Sequence, residues 1–145
     1  MPTTKLKYYW HIHHDTLCEY TYDIKERIAF IKEAKPKSEV RERLRLMTPV
    51  QHPDKLPLRF RRAASACVKA DAACIKATAA RDKALNVSTL AYKKADAACG
   101  QALATYIKAD AAYVKALTTY AAQLEELHRE EHPRCPWNGK TIFPK

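Results

Sequence analysis

Glycine is scarce in this sequence: two residues, Gly100 and Gly139, in a chain of 145. The chain therefore has neither a Gly-rich loop that could cradle phosphate nor a Gly-x-Ser-x-Gly nucleophile turn. Long apolar runs are also missing, so no stretch has the length needed to cross a bilayer. The start, Met-Pro-Thr-Thr-Lys, lacks the apolar core of a signal peptide. We therefore expect a cytoplasmic protein with no membrane segment.

Alanine is as abundant as glycine is rare. Residues 63–122 contain 22 alanines and repeat one short motif three times. The copies are Lys69-Ala-Asp-Ala-Ala-Cys-Ile, Lys94-Ala-Asp-Ala-Ala-Cys-Gly and Lys108-Ala-Asp-Ala-Ala-Tyr-Val. Alanine has the highest intrinsic helix propensity, and this window holds no proline. The composition predicts helix throughout the window.

Small and larger residues alternate along this helix at spacings of three and four, which is the pattern of a coiled-coil heptad. We call these positions the seam: Cys67, Ala70, Cys74, Ala77, Ala95, Cys99, Ala102, Tyr106, Ala109, Tyr113, Ala116 and Tyr120. Since a single helix is marginal in water, the seam predicts a paired helical arm over residues 58–131 and a homo-oligomer. A turn at residues 86–89 or at Gly100 would give a hairpin, and otherwise the helix is continuous.

A small head is predicted at residues 1–50. Residues 5–14 are rich in aromatic and β-favouring side chains, which is typical of a strand. Asp23 and Glu26 resemble a helix capping box, and the helix that follows should end before Pro36. Residues 41–50 are predicted to form a second strand after a short helical start. The head is therefore predicted to be β-α-β, with a linker at 51–57.

The last segment, residues 132–145, contains Asn138-Gly139, the most favoured two-residue hairpin turn. A short β-hairpin is predicted here, and because it is too small to be stable alone, we expect it to dock on the head. The predicted fold class is thus mainly α, with a small β-α-β head, an Ala-rich coiled-coil arm and a C-terminal β-hairpin.

Histidine and cysteine recur near both ends of the chain. Three residues at the end of the arm have metal-ligand spacing: His128, His132 and Cys135. Nitrogen and sulfur ligands of this kind suit tetrahedral Zn²⁺. A fourth ligand could come from the start of the chain, where the candidates are Cys18, His11 and His13. The alternative is a polar helix terminus, where the helix dipole also favours histidine.

The run His11-Ile-His13-His14-Asp15 shares the letters His-x-His-x-Asp with the metal motif of metallo-β-lactamase-like hydrolases. Residue 16 is threonine where that motif has a further histidine, and the chain is too short and too poor in glycine for that fold. A small metallohydrolase that uses His11, His13 and Asp15 is a hypothesis that activity and chelation would test.

Positive charge is concentrated at the two ends. The net charge is +10; residues 1–62 carry 14 Lys and Arg against 8 Asp and Glu, and residues 132–145 carry 3 against none. Residues 63–131 are nearly balanced, with 9 against 8. Basic ends suit contact with nucleic acid or an acidic protein, although solubility alone also explains them.

Both ends of the chain resemble a known group of proteins. The segments Tyr8-Tyr-Trp-His-Ile-His-His-Asp15 and Cys135-Pro-Trp-Asn-Gly-Lys-Thr-Ile-Phe143 are similar to the ends of small uncharacterised bacterial or phage proteins with an alanine-rich heptad middle. This resemblance implies a bacterial or phage origin and no particular mechanism. The sequence as a whole predicts a non-enzymatic, self-associating scaffold or interaction protein that zinc could stabilise. The alternative is a nucleic-acid-binding protein dimerised through its arm.

Overall fold

The computed structural model describes residues 5–145 and is mainly helical. The chain divides into two units. One unit, which we call the mixed unit, combines the residues up to Pro57 with Tyr120–Lys145, and the other is Leu58–Thr119. Residues 1–4 of the predicted head lie outside the described residues.

A small antiparallel sheet lies in the mixed unit. Its strands are β1 (Lys7–Trp10), β2 (Cys18–Thr21) and β3 (Thr48–Pro49), in the order β2-β1-β3. β1 is shorter than the predicted strand at 5–14 because His11 adopts a left-handed backbone, with φ 53°, that turns the chain out of the extended conformation. β2 was not predicted, since four residues are too few to show a clear alternation.

Helix α1 (Ile24–Ala34) confirms the prediction made from its capping residues. The side chain of Asp23 accepts a hydrogen bond from the Lys25 N–H at 2.8 Å. The helix ends at Ala34, before Pro36, because the residue that precedes a proline disfavours the helical conformation.

A second helix, α2 (Lys37–Leu46), confirms the predicted helical start but extends through most of residues 41–50, so the strand expected there is reduced to β3. Arg43 and Glu39, four residues apart, form an ion pair at 2.7 Å, whereas a strand would hold these positions about 13 Å apart. Three apolar side chains also pack at helical spacing around the core of Ile12 and Ile31: Val40, Leu44 and Met47. The order is therefore β-β-α-α-β, which adds β2 and α2 to the predicted β-α-β head.

The Ala-rich segment forms a helical hairpin. α3 (Leu58–Ala84) and α4 (Thr89–Thr119) are joined by residues 85–88 and contact each other along their lengths. The helices are antiparallel, because Thr78 Oγ1 lies 3.7 Å from Cys99 Sγ while Arg81, further along α3, lies 3.8 Å from Asp96, further back along α4. The hairpin alternative is confirmed over a continuous helix.

The turn lies at the first of the two predicted weak points. Ser88 Oγ accepts a hydrogen bond from the Ala91 N–H at 3.1 Å, as an N-cap side chain does. Gly100 lies inside α4 and does not end a helix. The break between the two helices therefore lies at the Ser88 cap, and the isolated Gly100 does not interrupt α4.

Seam residues line the inside of the hairpin. Every seam position from Cys67 to Ala116 is buried or partly buried. Phe60 packs against Tyr113 with ring centroids 5.6 Å apart, which brings the start of α3 against the end of α4. The predicted pairing surface is thus largely used within one chain.

The mixed unit is completed by α5 (Ala121–Glu131), which ends before Pro133 as predicted. No strand is present in residues 132–145, so the β-hairpin prediction was wrong. Asn138 Oδ1 accepts hydrogen bonds from the Lys140 and Thr141 N–H groups, which closes a local turn instead of a ladder. The segment nevertheless docks, since the Ile142 N–H donates to the His14 carbonyl at 3.0 Å.

The described helices were also compared with what a bilayer crossing requires. None of the helices within residues 5–145 combines sufficient length with sufficient apolar character to cross a membrane.

Candidate metal centre

His11 follows directly after β1 and points into the mixed unit. Its left-handed backbone is uncommon for a residue other than glycine and costs about 1–2 kcal/mol. The conformation is held by a hydrogen bond from the His11 N–H to the Leu17 carbonyl at 3.0 Å. The ring is only 3% exposed. Strain of this kind often marks a residue whose side chain is required at one position.

The end of α5 supplies the residues that face His11. His128 is 5% exposed, and its Nε2 lies 3.0 Å from Nε2 of His11. Cys135 follows the helix end, where its N–H donates to the His132 carbonyl, and its Sγ lies 3.3 Å from the same His11 nitrogen. Three possible ligand atoms therefore converge within 4.8 Å of one another.

Packing around the cluster holds its members in place. The Trp10 ring meets the His128 ring edge-on at 5.1 Å, and Trp137 lies 5.2 Å from the His11 ring. Glu131 Oε2 accepts hydrogen bonds from Trp10 Nε1 at 2.7 Å and from the Gln51 N–H at 3.0 Å. One carboxylate thus ties α5 to β1 and to the segment after β3.

Ionisation is shifted in the direction that metal binding requires. Burial lowers the pKa of His11 to about 4, and His128 adds to the effect, while the Thr16 backbone acts in the opposite direction. Burial and His132 likewise lower the pKa of His128 to about 4. Both rings are therefore neutral at pH 7, and a neutral imidazole is the form that binds metal.

Cys135 has the opposite tendency. Burial raises the pKa of its thiol, although the Trp137 backbone and the Arg45 charge lower it in part. Without a metal the group is therefore a thiol at neutral pH, and a coordinated cation would remove its proton. An unaided catalytic thiolate would need the reverse shift.

The hydrogen-bonding state of His11 also suits a ligand. Its Nδ1 is buried without a hydrogen-bond partner among the described residues, although the Thr16 backbone lies nearby. Two neutral imidazoles with facing Nε2 atoms must share a single proton between them. A cation between the rings would replace that proton and let Nδ1 of His11 carry one.

Two of the three distances between ligand atoms are close to those of a tetrahedral site. With bonds of about 2.0 Å to nitrogen and 2.3 Å to sulfur, two zinc ligands lie about 3.3 Å apart for a nitrogen pair and about 3.5 Å for nitrogen and sulfur. The observed 3.0 Å and 3.3 Å need a small outward movement, and the third pair, His128 and Cys135, lies within 4.8 Å. His11, His128 and Cys135 could therefore hold a metal ion.

A cleft of about 420 Å³ lies against this cluster. His128 and Cys135 line it, together with Glu125, Arg129 and Trp137. Water or another small ligand in this cleft could complete the coordination of a metal held by three protein ligands.

No family model, curated protein or solved structure matches the chain. The geometry and chemistry of the described residues are therefore the basis for the proposals below.

The remaining predicted ligands lie outside the cluster. His132 Nε2 is 3.0 Å from Thr48 Oγ1, and its ring lies 5.8 Å from the His128 ring. His13 is exposed and bonds to Glu19 at 2.8 Å. Cys18 is fully buried opposite Trp10 in the sheet, and burial raises the pKa of its thiol.

His11 and His13 do not share a face, as residues two apart on the predicted strand at 5–14 would. The turn at His11 ends the alternation, so one ring is buried and the other is exposed. Asp15 is also exposed. The arrangement expected for a His-x-His-x-Asp hydrolase centre is thus not formed by these residues.

Sequence reasoning missed the residues that support the cluster. Nothing in the sequence linked Trp10 to Glu131. A carboxylate near a helix end is usually exposed, so the position of Glu131 did not indicate that it accepts a hydrogen bond from Trp10. Trp10 and Trp137 were each close in sequence to a predicted ligand, His11 and Cys135 respectively.

Proposed function

We propose that this protein is a non-enzymatic, self-associating scaffold in which a helical hairpin pairs with a second copy as a coiled coil and zinc stabilises the mixed unit. One observation carries the proposal: a row of aliphatic side chains on α4 lies outside the seam and is more than half exposed. Leu103 is 52% exposed, Ile107 is 60% exposed and Val114 is 53% exposed. Their spacings of four and seven place them on one stripe of the helix.

The stripe is a better candidate for association than the seam. Seam residues are already covered within the hairpin, so a second copy needs a different surface. Ile75 of α3, 65% exposed, adds to the apolar character of the hairpin surface. Since both partners carry the same heptad spacing, a second copy offers a matching stripe, and two-fold dimers are the most common oligomers.

Zinc is the metal that the donor set favours. Two imidazole nitrogens and one thiol sulfur are ligands that zinc prefers, whereas magnesium and calcium prefer oxygen. The three ligands come from residues 11, 128 and 135, so an ion would link the start of the mixed unit to its end. A stabilising role follows, because metal binding to the folded state alone adds to the free energy of unfolding.

The raised pKa of one thiol and the exposed positions of two candidate catalytic groups support a scaffold that catalyses no reaction. The Cys135 thiol has a raised pKa, which makes it a poor nucleophile. His13 and Asp15 are exposed rather than gathered around His11. The cluster therefore suits a structural ion better than a hydrolytic centre.

Light scattering at several protein concentrations tests the proposal. We expect wild-type protein to have the mass of a dimer or a larger assembly. The double variant Leu103→Gln, Ile107→Gln should be monomeric with unchanged helical circular dichroism, because it removes exposed apolar area and leaves the seam intact. Thr105→Gln, an exposed change at a different position on α4, is the matched control and should leave the mass unchanged.

The proposal fails if wild-type protein is monomeric at every concentration. It also fails if the double variant and the control have the same mass. Added salt should preserve the assembly, since apolar contacts do not weaken with ionic strength and screening reduces repulsion between chains of net charge +10.

A further inference from the structure

The arm appears neutral from its charge count, but its charges are ordered. In α3 the basic residues Arg62, Lys69, Lys76 and Lys83 are seven apart. In α4 the corresponding residues Lys94, Lys108 and Lys115 are also separated by multiples of seven. All seven are exposed. Residues seven apart lie nearly above one another along a helix, about 10 Å apart.

Lysine and aspartate lie on opposite sides of the seam. Lys69 immediately precedes the seam residue Ala70, and Asp71 immediately follows it. Since one residue turns the helix by about 100°, the two charges flank the seam on different sides. The same order recurs at Lys94 and at Lys108, where each lysine precedes a seam alanine that an aspartate follows.

The antiparallel arrangement places the lysines of both helices on one surface. Two antiparallel helices that meet through equivalent heptad positions are related by a two-fold axis perpendicular to the hairpin. Positions just before a seam alanine therefore emerge on the same side in α3 and α4. The aspartates should likewise emerge together on the other side, and both Asp110 of α4 and Asp71 of α3 raise the pKa of Tyr106.

Small residues fill the space between the basic side chains. The positions four residues after them in α3 are Ala66, Ala73 and Ala80, and those in α4 include Ala98 and Ala112. All five are exposed. None of the four acidic residues within 58–119 occupies a heptad position of the lysines. We call this surface, formed by the seven basic residues and the alanines between them, the lysine face.

We propose that the lysine face binds the phosphate backbone of nucleic acid without sequence preference. A row of point charges about 10 Å apart matches a long polyanion, and small side chains allow that polyanion to approach closely. Six of the seven cations are lysine, which binds phosphate as a point charge, whereas arginine is the usual reader of base edges. This inference does not rest on the proposed self-association, because the aliphatic stripe of Leu103, Ile107 and Val114 lies at other heptad positions.

The composition of the face favours nucleic acid over two other acidic partners. Protein interfaces are centred on aromatic or large apolar residues, and the lysine face offers none. A helix that lies on a membrane needs a broad apolar side next to its basic side. The aliphatic residues of the hairpin lie instead on the aspartate side, where Asp110 stands between Ile107 and Val114.

The test is fluorescence anisotropy of a labelled DNA duplex of arbitrary sequence, titrated with full-length protein over a series of NaCl concentrations. The arm variant is Lys69→Gln, Lys76→Gln, Lys108→Gln. The matched control is Lys5→Gln, Lys7→Gln, Lys140→Gln, which removes three exposed lysines of the mixed unit and lowers the net charge equally. Glutamine has nearly the helix propensity of lysine, so the arm variant should retain its helicity.

We expect wild-type protein and the control to bind with a steep dependence on salt. The arm variant should bind more weakly, with a slope of log affinity against log salt that is smaller by up to about 2.7, since each phosphate contact contributes about 0.9. The variant Lys69→Arg, Lys76→Arg, Lys108→Arg should bind as wild type does, which separates charge from folding.

Three results would overturn the proposal. They are no DNA binding at low salt, an equal loss of slope in the arm variant and the control, and tighter binding of wild-type protein to polyglutamate or to phosphatidylserine vesicles than to DNA. Light scattering on the same samples reports self-association separately, so either proposal can fail alone.

Discussion

Nε2 of His11 lies 3.0 Å from Nε2 of His128, although 117 residues separate the two histidines. A contact between two buried imidazoles is stable only if one ring donates the single shared proton or if a cation takes its place. The nearby Cys135 thiol adds a third group of the kind that zinc binds. The stability of the mixed unit should therefore depend on whether a proton or a cation lies between these two rings.

Zinc should bind at one ion per chain and raise the midpoint of thermal unfolding. His128→Ala and Cys135→Ser each remove one ligand and should weaken zinc binding by well over tenfold, since even the loss of a supporting residue costs about 10–100-fold. Competition with a chromophoric chelator gives the affinity. His13→Ala, at an exposed histidine bonded to Glu19, is the control and should bind zinc normally. Equal zinc affinity in all four proteins would contradict this site.

Metal-free protein should lose stability in mild acid. The pKa of both buried rings is about 4 in the folded state and near 6.5 after unfolding, so below pH 6.5 the unfolded chain takes up protons that the folded chain does not. The free energy of unfolding is therefore at its full value above pH 6.5 and decreases as the pH falls towards 4. Each ring accounts for a decrease of up to about 3 kcal/mol in the free energy of unfolding.

Tryptophan fluorescence can follow this acid effect in urea, because both tryptophans, Trp10 and Trp137, belong to the mixed unit. The denaturation midpoint should fall with pH in wild-type protein and in His13→Ala. In His128→Gln it should fall less, because one titrating ring is gone. A wild-type midpoint that stays constant over this pH range would show that the rings are not held neutral.

Lysine at position 109 should unfold the hairpin. Ala109 lies on the seam and is partly buried, so Ala109→Lys places a long charged side chain between α3 and α4. We expect a loss of helical circular dichroism, or a thermal midpoint that is lower by several degrees. Ala104→Lys, at an exposed position of the same helix, keeps the added charge and should have little effect. If the two variants are equally stable, the seam does not hold the hairpin together.

Local signals in the sequence were sufficient for the helices whose ends depend on their own residues. Asp23 starts α1, the segment at 86–89 separates α3 from α4, and Pro133 follows the end of α5. In each case the side chain or ring that acts lies within a few residues of the break. Capping and proline geometry are therefore readable without the tertiary structure.

The parts that could not be predicted depend on contacts between distant residues. α2 has alternating letters that resemble a strand, but the core around Ile31 selects the helix. The left-handed backbone of His11 is supported by a loop that closes at Leu17. The sequence did name His11, His128 and Cys135 as possible ligands, but also three residues that lie elsewhere, because spacing alone does not show which side chains meet.

The mixed unit is made from both ends of the chain, with the hairpin between them. On the ribosome, Leu58–Thr119 therefore emerges before α5 has been translated, and its local contacts allow it to form early. Trp10 and His11 have no contact with Glu131 and His128 until then, so the N-terminal sheet stays uncovered by α5 through most of translation. A nascent chain arrested before residue 120 would carry a finished hairpin and a sheet whose Trp10 is not yet covered by α5. That exposed apolar surface is one that a chaperone could bind.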